Sequence, residues 1–501
     1  MAKVIFGTNE EVYDEKFDEL LQRLSNSGFK QVGSTSKLIS KVETSAQNRR
    51  FTEAWLEKPT FIIIPQNLSQ LRQSVVSCVT NGWEIRVRCG GHSFEGLSYT
   101  ADGPFVLIDL EKLNRVQVDA RSGTAWVEGG ATLGEIYSTI GKISDELAFP
   151  AGSCHTVGCG GHISGGGLGF LSRKYGLAAD YVLDAHLIDE SGIVLNKSSM
   201  GEDVFWALRG GGGGSWGIVY AWKIQLLPVA RVVTAFKLFK TGADDVTETV
   251  GDWQSVAPKL EETIFMQVKV DVNERKEIRA MFYGIYLGRM KDLMNRIKRS
   301  FPVLGMEVEH CREMSWLKSV AYFEDIPVSQ LTNRYYYSKP YVKVKSDFVN
   351  SPLPEDALRE MWARMEEEPR VFANFSPLGG AMDRFNSRAS PFPHRPGYLF
   401  YIHYGVTWSH SSETDYYLDW MRDFYDYMEP YVSSSPRAAY VNFIDLDLGI
   451  GNGSVKNAKL WGEKYFGLNF DRLVEAKTQV DPNNIFKNHQ SIPPRWTPPF
   501  G

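Results

Sequence analysis

The sequence predicts an α+β protein in which an α/β-textured region precedes a region of strands and long helices. Three observations predict it. Between residues 60 and 228 short β-rich runs alternate with glycine turns and helical patterns; between 229 and 437 strands alternate with amphipathic helices; and three glycine-rich segments fall inside residues 86–219. A chain of 501 residues has room for two or three folded units. Its 43% apolar and 23% charged composition is that of a globular protein, not a disordered or fibrous one. The net charge of −5 excludes a basic nucleic-acid binder, because neutralising phosphates takes a concentration of Lys and Arg. No stretch reaches the ~18–20 apolar residues of a membrane span. Five cysteines cannot build a disulfide scaffold. The 13% of aromatic residues supply contact area for cores and for flat ligands.

The elements follow from the patterning. Residues 10–50 read as a charged helical lead-in, with Phe17, Leu20, Leu21 and Leu24 at helical spacing forming one buried stripe. Lys58-Pro59 ends it. Strands are expected over 61–64, 84–88, 106–109, 124–128 and 218–224, with helices over 68–80 and 133–142. The second region gives strands over 232–240, 264–272 and 279–288 and helices over 291–301, 354–365 and 416–431. Its aromatic runs include Tyr335-Tyr336-Tyr337 and Tyr398-Leu399-Phe400-Tyr401. From 438 the tail is short and ends in Pro-rich coil.

The first glycine cluster, Arg86-Val87-Arg88-Cys89-Gly90-Gly91-His92-Ser93, is a strand entering a turn whose N–H groups can form an anion nest, with Arg88 adding charge. The second runs from Ala151 to Gly169 and holds Cys154, His155, Cys159 and His162 among its glycines. The third, Arg209 to Gly217, leads into Ile218-Val219. Phe149-Pro150-Ala151 precedes the second cluster and no helix-forming run follows at once, which argues against a Rossmann fingerprint. The Cys/His spacing is not that of a zinc site, and no Gly-Lys-Ser/Thr follows the glycines as a Walker loop requires. A large phosphate-bearing cofactor threaded through glycine loops remains.

At these residues the chain resembles the berberine bridge enzyme-like oxidases, plant-type FAD-linked enzymes with a vanillyl-alcohol-oxidase (PCMH) fold. The resemblance is carried by Arg86–Tyr99, Phe149–Cys154 with its Gly-Gly-His continuation, Arg173–Asp180, Phe205–Gly213, Pro391–Arg395, Trp461–Phe466, Asp481–Phe486 and Gln490–Pro494, and runs from about residue 50 to 495. It implies a PCMH-type FAD-binding domain of two α/β subdomains over 55–229, a substrate domain on an antiparallel sheet covered by helices over 230–437, and a segment over 438–501 that returns to the FAD domain, after a lead-in over 1–54. It implies FAD held twice, through His92 and Cys154; imidazole and thiolate are both adequate nucleophiles toward an electrophilic flavin. By the same resemblance the cofactor-binding set is Arg88, Gly90, Gly91 and Ser93, then Gly152, Gly158 and His162, then Gly217, Ile218 and Val219, and finally Asn488 and Gln490. His162 matches the histidine at the ribityl and pyrimidine end, where positive charge favours reduced flavin. Val157 matches the position that gates oxygen, and a small valine there resembles the members that use dioxygen.

The substrate side departs from the family pattern. Phe94 stands where a Tyr is frequent, Leu168 where an aromatic is frequent, and Asn442-Phe443-Ile444-Asp445 replaces the Asn-Tyr-Arg-Asp that supplies a phenol. Tyr401 and His403, alternate residues of one predicted strand, face the same way. Hydride transfer from a carbinol carbon needs an acceptor for the hydroxyl proton. His403 is the leading candidate and Tyr401 its support, with Asp445 and Asp383 behind them. The expected function is a flavin oxidase that makes hydrogen peroxide from dioxygen and a small-molecule alcohol, with a mono- or oligosaccharide favoured because the rings suit sugar faces and the phenols are missing. A phenolic or alkaloid substrate, a dehydrogenase with another acceptor, and a flavin protein without redox turnover are the alternatives. A monomer is expected. Leu20 stands where secreted relatives carry a Cys that bridges to the helix of Cys78, so no disulfide is expected. With the lack of an apolar signal segment at the start, this argues against the extracellular home usual in the family. Four Asn-x-Ser sequons, at Asn67, Asn196, Asn374 and Asn452, suit glycosylation only in a secreted chain.

Overall fold

Five short strands make the first sheet: β1 (Lys3–Phe6), β2 (Lys30–Gly33), β3 (Phe61–Ile64), β4 (Glu84–Arg88) and β5 (Phe105–Asp109), ordered β2-β1-β3-β5-β4. This computed structural model describes residues 2–7, 15–336 and 339–495; Tyr337 of the aromatic run and the Pro-rich end lie outside them. β3, β5 and β4 run parallel, and the apolar run of β3 is buried throughout, as a strand covered on both faces requires. The connection between β3 and β4 is the helix Leu68–Thr80, whose first turn is capped by Asn67 Oδ1 accepting from Gln70 N–H at 3.0 Å. The lead-in is not purely helical. Helices Glu15–Asn26 and Thr35–Ser45 do form, but β1 pairs antiparallel with β3 and parallel with β2. Four-residue strands are too short to show a period, so their pairing with β3 decides them. Leu20 and Cys78 share one buried cluster.

The second sheet is antiparallel: β6 (Val116–Asp119), β7 (Thr124–Glu128), β9 (Val182–Ile188), β10 (Val194–Leu195) and β11 (Ile218–Gln225), ordered β10-β9-β11-β7-β6. The two-residue strands β8 (Leu147–Ala148) and β12 (Leu227–Pro228) pair beside it. The second glycine cluster contains a helix the sequence did not lead one to expect, Cys159–Ser164, too glycine-rich to be legible from propensity.

The third sheet is seven-stranded and antiparallel: β13 (Val233–Thr241), β14 (Ile264–Val272), β15 (Ile278–Tyr286), β16 (Cys311–Met314), β17 (Tyr341–Val349), β18 (Val371–Pro377) and β19 (Phe400–Trp408), ordered β16-β13-β15-β14-β18-β19-β17. Alternation gives its faces opposite roles. On β19, Phe400, Ile402 and Tyr404 join a core with Trp253, Trp362 and Phe424 from the helices Ala243–Val256, Glu355–Glu367 and Thr414–Met428. Tyr401 and His403 point the other way. The tail helices Val455–Phe466 and Phe470–Val480 return to the first half, where Trp461 and Leu473 share a core with Phe205 and Trp206.

Candidate active site

The glycine clusters and the free face of the third sheet enclose one cavity of about 610 Å³, within the usual size of small-molecule and cofactor sites. The turn after β4 contributes Gly90, Gly91, His92 and Ser93. The second cluster contributes Gly152, Cys154, Val157, Gly158 and His162, and the entry to β11 contributes Gly217, Ile218 and Val219. Asn488 closes one end, and Tyr401 and His403 come from β19.

Two residues of the expected cofactor set stand elsewhere. Arg88 is fully buried but points away from the cavity, donating from Nη2 to Asp109 at 2.8 Å. Arg86, of the same parity on β4, does reach the cavity; Arg88 is instead held by Asp109, its register partner on β5, so it adds no charge to the nest. Gln490 is a brace. Its Nε2 donates to Asp445 O at 2.8 Å and Gly449 O at 2.7 Å, which fixes the loop carrying Phe443. The two weaker acid candidates also stand off. Asp445 is spent on Lys343 and Lys345, at 2.6 and 2.7 Å. Asp383 lies on the short helix Ala381–Arg384 and does not line the cavity.

The two proposed flavin nucleophiles converge on one hydroxyl. His92 Nε2 lies 2.8 Å from Thr156 Oγ1, and Cys154 Sγ lies 3.5 Å from the same oxygen. Burial pushes the His92 imidazole down to about 4 and the Cys154 thiol up to about 12. His162 is also neutral, held down to about 4 by burial, and its Nε2 accepts Gly152 N–H at 3.0 Å. A nitrogen that accepts cannot carry a proton, so the positive charge expected there is absent in the protein by itself. The chain fits a flat, phosphate-bearing cofactor. A Cβ placed on Gly161 meets nothing within 4 Å, and one on Gly213 finds Gly161 Cα at 3.7 Å as its nearest neighbour. Both line the cavity, and side chains there would fill the slot.

His403 sits in an aromatic box. Its ring stacks on Phe443 at 4.0 Å, with Phe94 at 5.9 Å and Phe372 edge-on at 5.6 Å. Nothing among the described residues hydrogen-bonds its Nε2, and burial pulls its pKa down to about 3. Lys343 holds the box together by bridging Glu95 of the Phe94 loop, at 2.5 Å, to Asp445 of the Phe443 loop.

Sequence reasoning missed the floor of the site. Gln267 on β14, Asn374 and Ser376 on β18 and Tyr283 on β15 all line the cavity. Cross-strand register explains their convergence. Tyr283 is opposite Gln267, Ser376 opposite Tyr401, and Asn374 opposite His403. The available signal was polar residues at one parity of otherwise apolar strands. In the sequence Asn374 and Ser376 read only as a sequon, and their place inside the cavity removes that site from glycosylation. A phenol does occupy the cavity: Tyr440 Oη accepts N–H bonds from Gly167 at 3.1 Å and Leu168 at 3.3 Å.

Histidines held neutral in the folded chain make it acid-sensitive. His162 is lowered to about 4, and His394 and His403 to about 3, from 6.5 in the unfolded chain. Between these values the unfolded state binds more protons, so stability rises with pH and is lost as pH falls from about 6.5 toward 4. Melts of the purified protein should show the unfolding temperature dropping over that interval, less steeply in His403→Asn. A flat profile from pH 7 to 4.5 would contradict the neutral, buried state of these rings.

Residues 59–198 match the family described as FAD binding domain, and residues 439–493 the one described as berberine and berberine like. The chain is 47% identical over 488 residues to berberine bridge enzyme-like D-2 of Nicotiana tabacum, covering 91% of this chain and 86% of that protein. The solved berberine bridge enzyme of Eschscholzia californica superposes with a TM-score of 0.92 at 44% identity, over 95% of this chain and 99% of that one. Phl p 4, described as a grass pollen allergen with glucose dehydrogenase activity, superposes at 0.88 and 41% identity, over 91% of this chain and 95% of that one.

Proposed function

Because the chain belongs to the berberine bridge enzyme-like family of FAD-linked oxidoreductases, we propose that it oxidises a neutral polyhydroxylated alcohol, a mono- or oligosaccharide at its anomeric carbon, and passes the electrons to dioxygen. Bound FAD supplies the hydride acceptor at N5 and the two-electron route to hydrogen peroxide. His92 and Cys154 are assigned as its two tethers, on the grounds that both converge on Thr156 at the cavity wall.

The observation that carries the substrate class is the charge of the lining. No Asp or Glu lines the cavity among the described residues, and its charged groups are Arg86 and Lys487, both basic. An ammonium substrate would be buried there without a counter-ion, which is costly. A neutral polyol instead meets Gln267, Asn374 and Ser376 as hydrogen-bonding groups, with Tyr283, Tyr401 and Phe443 as apolar faces. The glucose dehydrogenase activity named for Phl p 4 supports the same class. His403 Nε2 takes the hydroxyl proton, and Tyr401 and Asn374 orient the carbinol against it. Val157 lines the cavity three residues after Cys154 and leaves room for a small oxidant.

The test is peroxide release across aldoses and oligosaccharides, aryl alcohols and benzylisoquinolines. Sugars alone should give sustained turnover. Peroxide only with the cationic alkaloids would overturn the substrate class. Flavin bleached by sugar without air should regain its colour on aeration; colour that returns only with an artificial acceptor would overturn the oxidase reading.

A further inference from the structure

Two cysteines of the cofactor loops have no part in that chemistry. Cys89 directly follows β4, and Cys159 opens the helix Cys159–Ser164. The loops cross tightly: a Cβ on Gly158 would collide with Cys89 Sγ and with the backbone of Gly90. Cys89 Sγ lies 3.5 Å from Ala131 O, the carbonyl that also accepts Cys159 N–H at 2.9 Å. Cys159 Sγ lies 3.6 Å from Glu128 O and 3.8 Å from Gly129 O, in the same turn.

The two thiols are unlike. Cys89 is half-buried and lines the cavity; Cys159 is fully buried and does not. Both sulfurs pack on the turn from Glu128 to Ala131, and Arg334 stands nearby, donating to Gly130 O at 2.5 Å. The neighbouring Cys159 thiol and then the Arg334 guanidinium draw the Cys89 thiol below its ordinary value, and the neighbouring Cys89 together with burial pushes Cys159 well above its own. A reachable sulfur of lowered pKa beside a buried thiol of raised pKa is the arrangement of an attacking and a resolving cysteine.

We propose that Cys89 and Cys159 form a peroxide-oxidisable dithiol, a modification site at the crossing of the two loops that carry the flavin-tether residues. The Cys89 sulfur attacks the O–O bond of hydrogen peroxide and keeps one oxygen as a sulfenic acid, while the other oxygen leaves as water. The Cys159 sulfur then displaces the hydroxyl, which leaves as a second water, and a disulfide joins the loops. The cysteines lose two electrons, the peroxide gains them, and both thiol protons end in water. A source of this peroxide in turnover rests on the oxidase reading above; the site itself needs only added peroxide. His92 and His162 lie three residues beyond Cys89 and Cys159, so closing the bond shifts the walls of the flavin slot.

The experiment treats the holoenzyme with a few equivalents of hydrogen peroxide, alkylates it in denaturant and maps its peptides. The expected result is a peptide pair joined through Cys89 and Cys159, with the loss of two thiols that dithiothreitol restores and a shift in the flavin absorbance band. Cys78 and Cys311, both buried with raised pKa values, should stay alkylatable. In Cys159→Ser, Cys89 should accumulate as a sulfenic acid captured by dimedone; in Cys89→Ser, Cys159 should remain reduced. Two free thiols after peroxide, or over-oxidation of Cys89 with no cross-link in the unmodified sequence, overturns the proposal. A separate arm uses substrate and air with and without catalase. Cross-linking by added peroxide but not in turnover would leave the dithiol standing and count against the oxidase.

Discussion

Replacing both His92 and Cys154 by alanine is expected to release the flavin completely: acid-precipitated protein should be colourless, while the unmodified protein gives a yellow pellet. Each single variant should keep the colour, because one tether remains. The geometry sets this expectation. His92 Nε2 and Cys154 Sγ both reach Thr156 Oγ1, at 2.8 and 3.5 Å, so one edge of a planar ring can meet both. The neighbouring glycines have no side chain to replace a lost bond. Either single variant should slow oxidation, on the order of 10²-fold, the usual cost of a small misplacement of a reacting centre. Thr156→Val tests the convergence independently, since it keeps the volume and removes the hydroxyl; attachment should slow while the final colour is retained. A washed double variant that stays yellow in the acid pellet would refute both tether assignments together.

The contrast between the two walls of the cavity shows what the sequence carried. The cofactor wall was legible because glycine density constrains backbone locally. Gly90-Gly91-His92 and Gly160-Gly161-His162 are contiguous in the chain and contiguous in the site. Strands such as Glu84–Arg88 and Ile264–Val272 were legible for a similar reason, since their residue types alone mark them. The failures have a common cause too. Whether Arg88 meets the cofactor or Asp109 depends on which residue of β5 lies beside it in register. Whether Gln490 touches the ligand or braces Asp445 depends on a loop 45 residues away. The floor residues Gln267, Asn374 and Ser376 come from two strands roughly a hundred residues apart, and only the order β15-β14-β18-β19 brings them beside Tyr401 and His403. Cross-strand register is not local information. Phe94 and Phe443 stood out in the sequence only as rings without a hydroxyl; that they form the box around His403 is visible only in the fold, since they come from loops about 350 residues apart.

That box leads to the second large effect. His403→Ala is expected to lower kcat by about 10²-fold, the low end of what a positioned proton acceptor contributes, because so weak a base takes a proton poorly, while FAD stays attached. The ring is neutral far below physiological pH, because Phe94, Phe372 and Phe443 surround it and burial holds its pKa near 3. The lone pair of Nε2 is therefore unprotonated across the whole neutral range, and it is a buried atom with no partner among the described residues to lose when substrate enters. The sign of the pH dependence follows: the active form is the unprotonated one, so kcat/KM should show no acid limb from this group between pH 5.5 and 8. His403→Asn separates a proton acceptor from a mere wall, since the amide can still hydrogen-bond to the substrate but cannot take its proton. KM should then change little while kcat falls nearly as far as in the alanine variant. Free imidazole should restore part of the rate in His403→Ala, whose cavity has room for it, and none in His403→Asn, where the space is filled. If the asparagine variant turns over at the original rate, the proton leaves by another route and His403 only shapes the pocket. If an acid limb near pH 6.5 appears and is abolished by His403→Asn, the histidine is the acceptor but the aromatic box does not hold its pKa down, and the stacking on Phe443 is not its resting position.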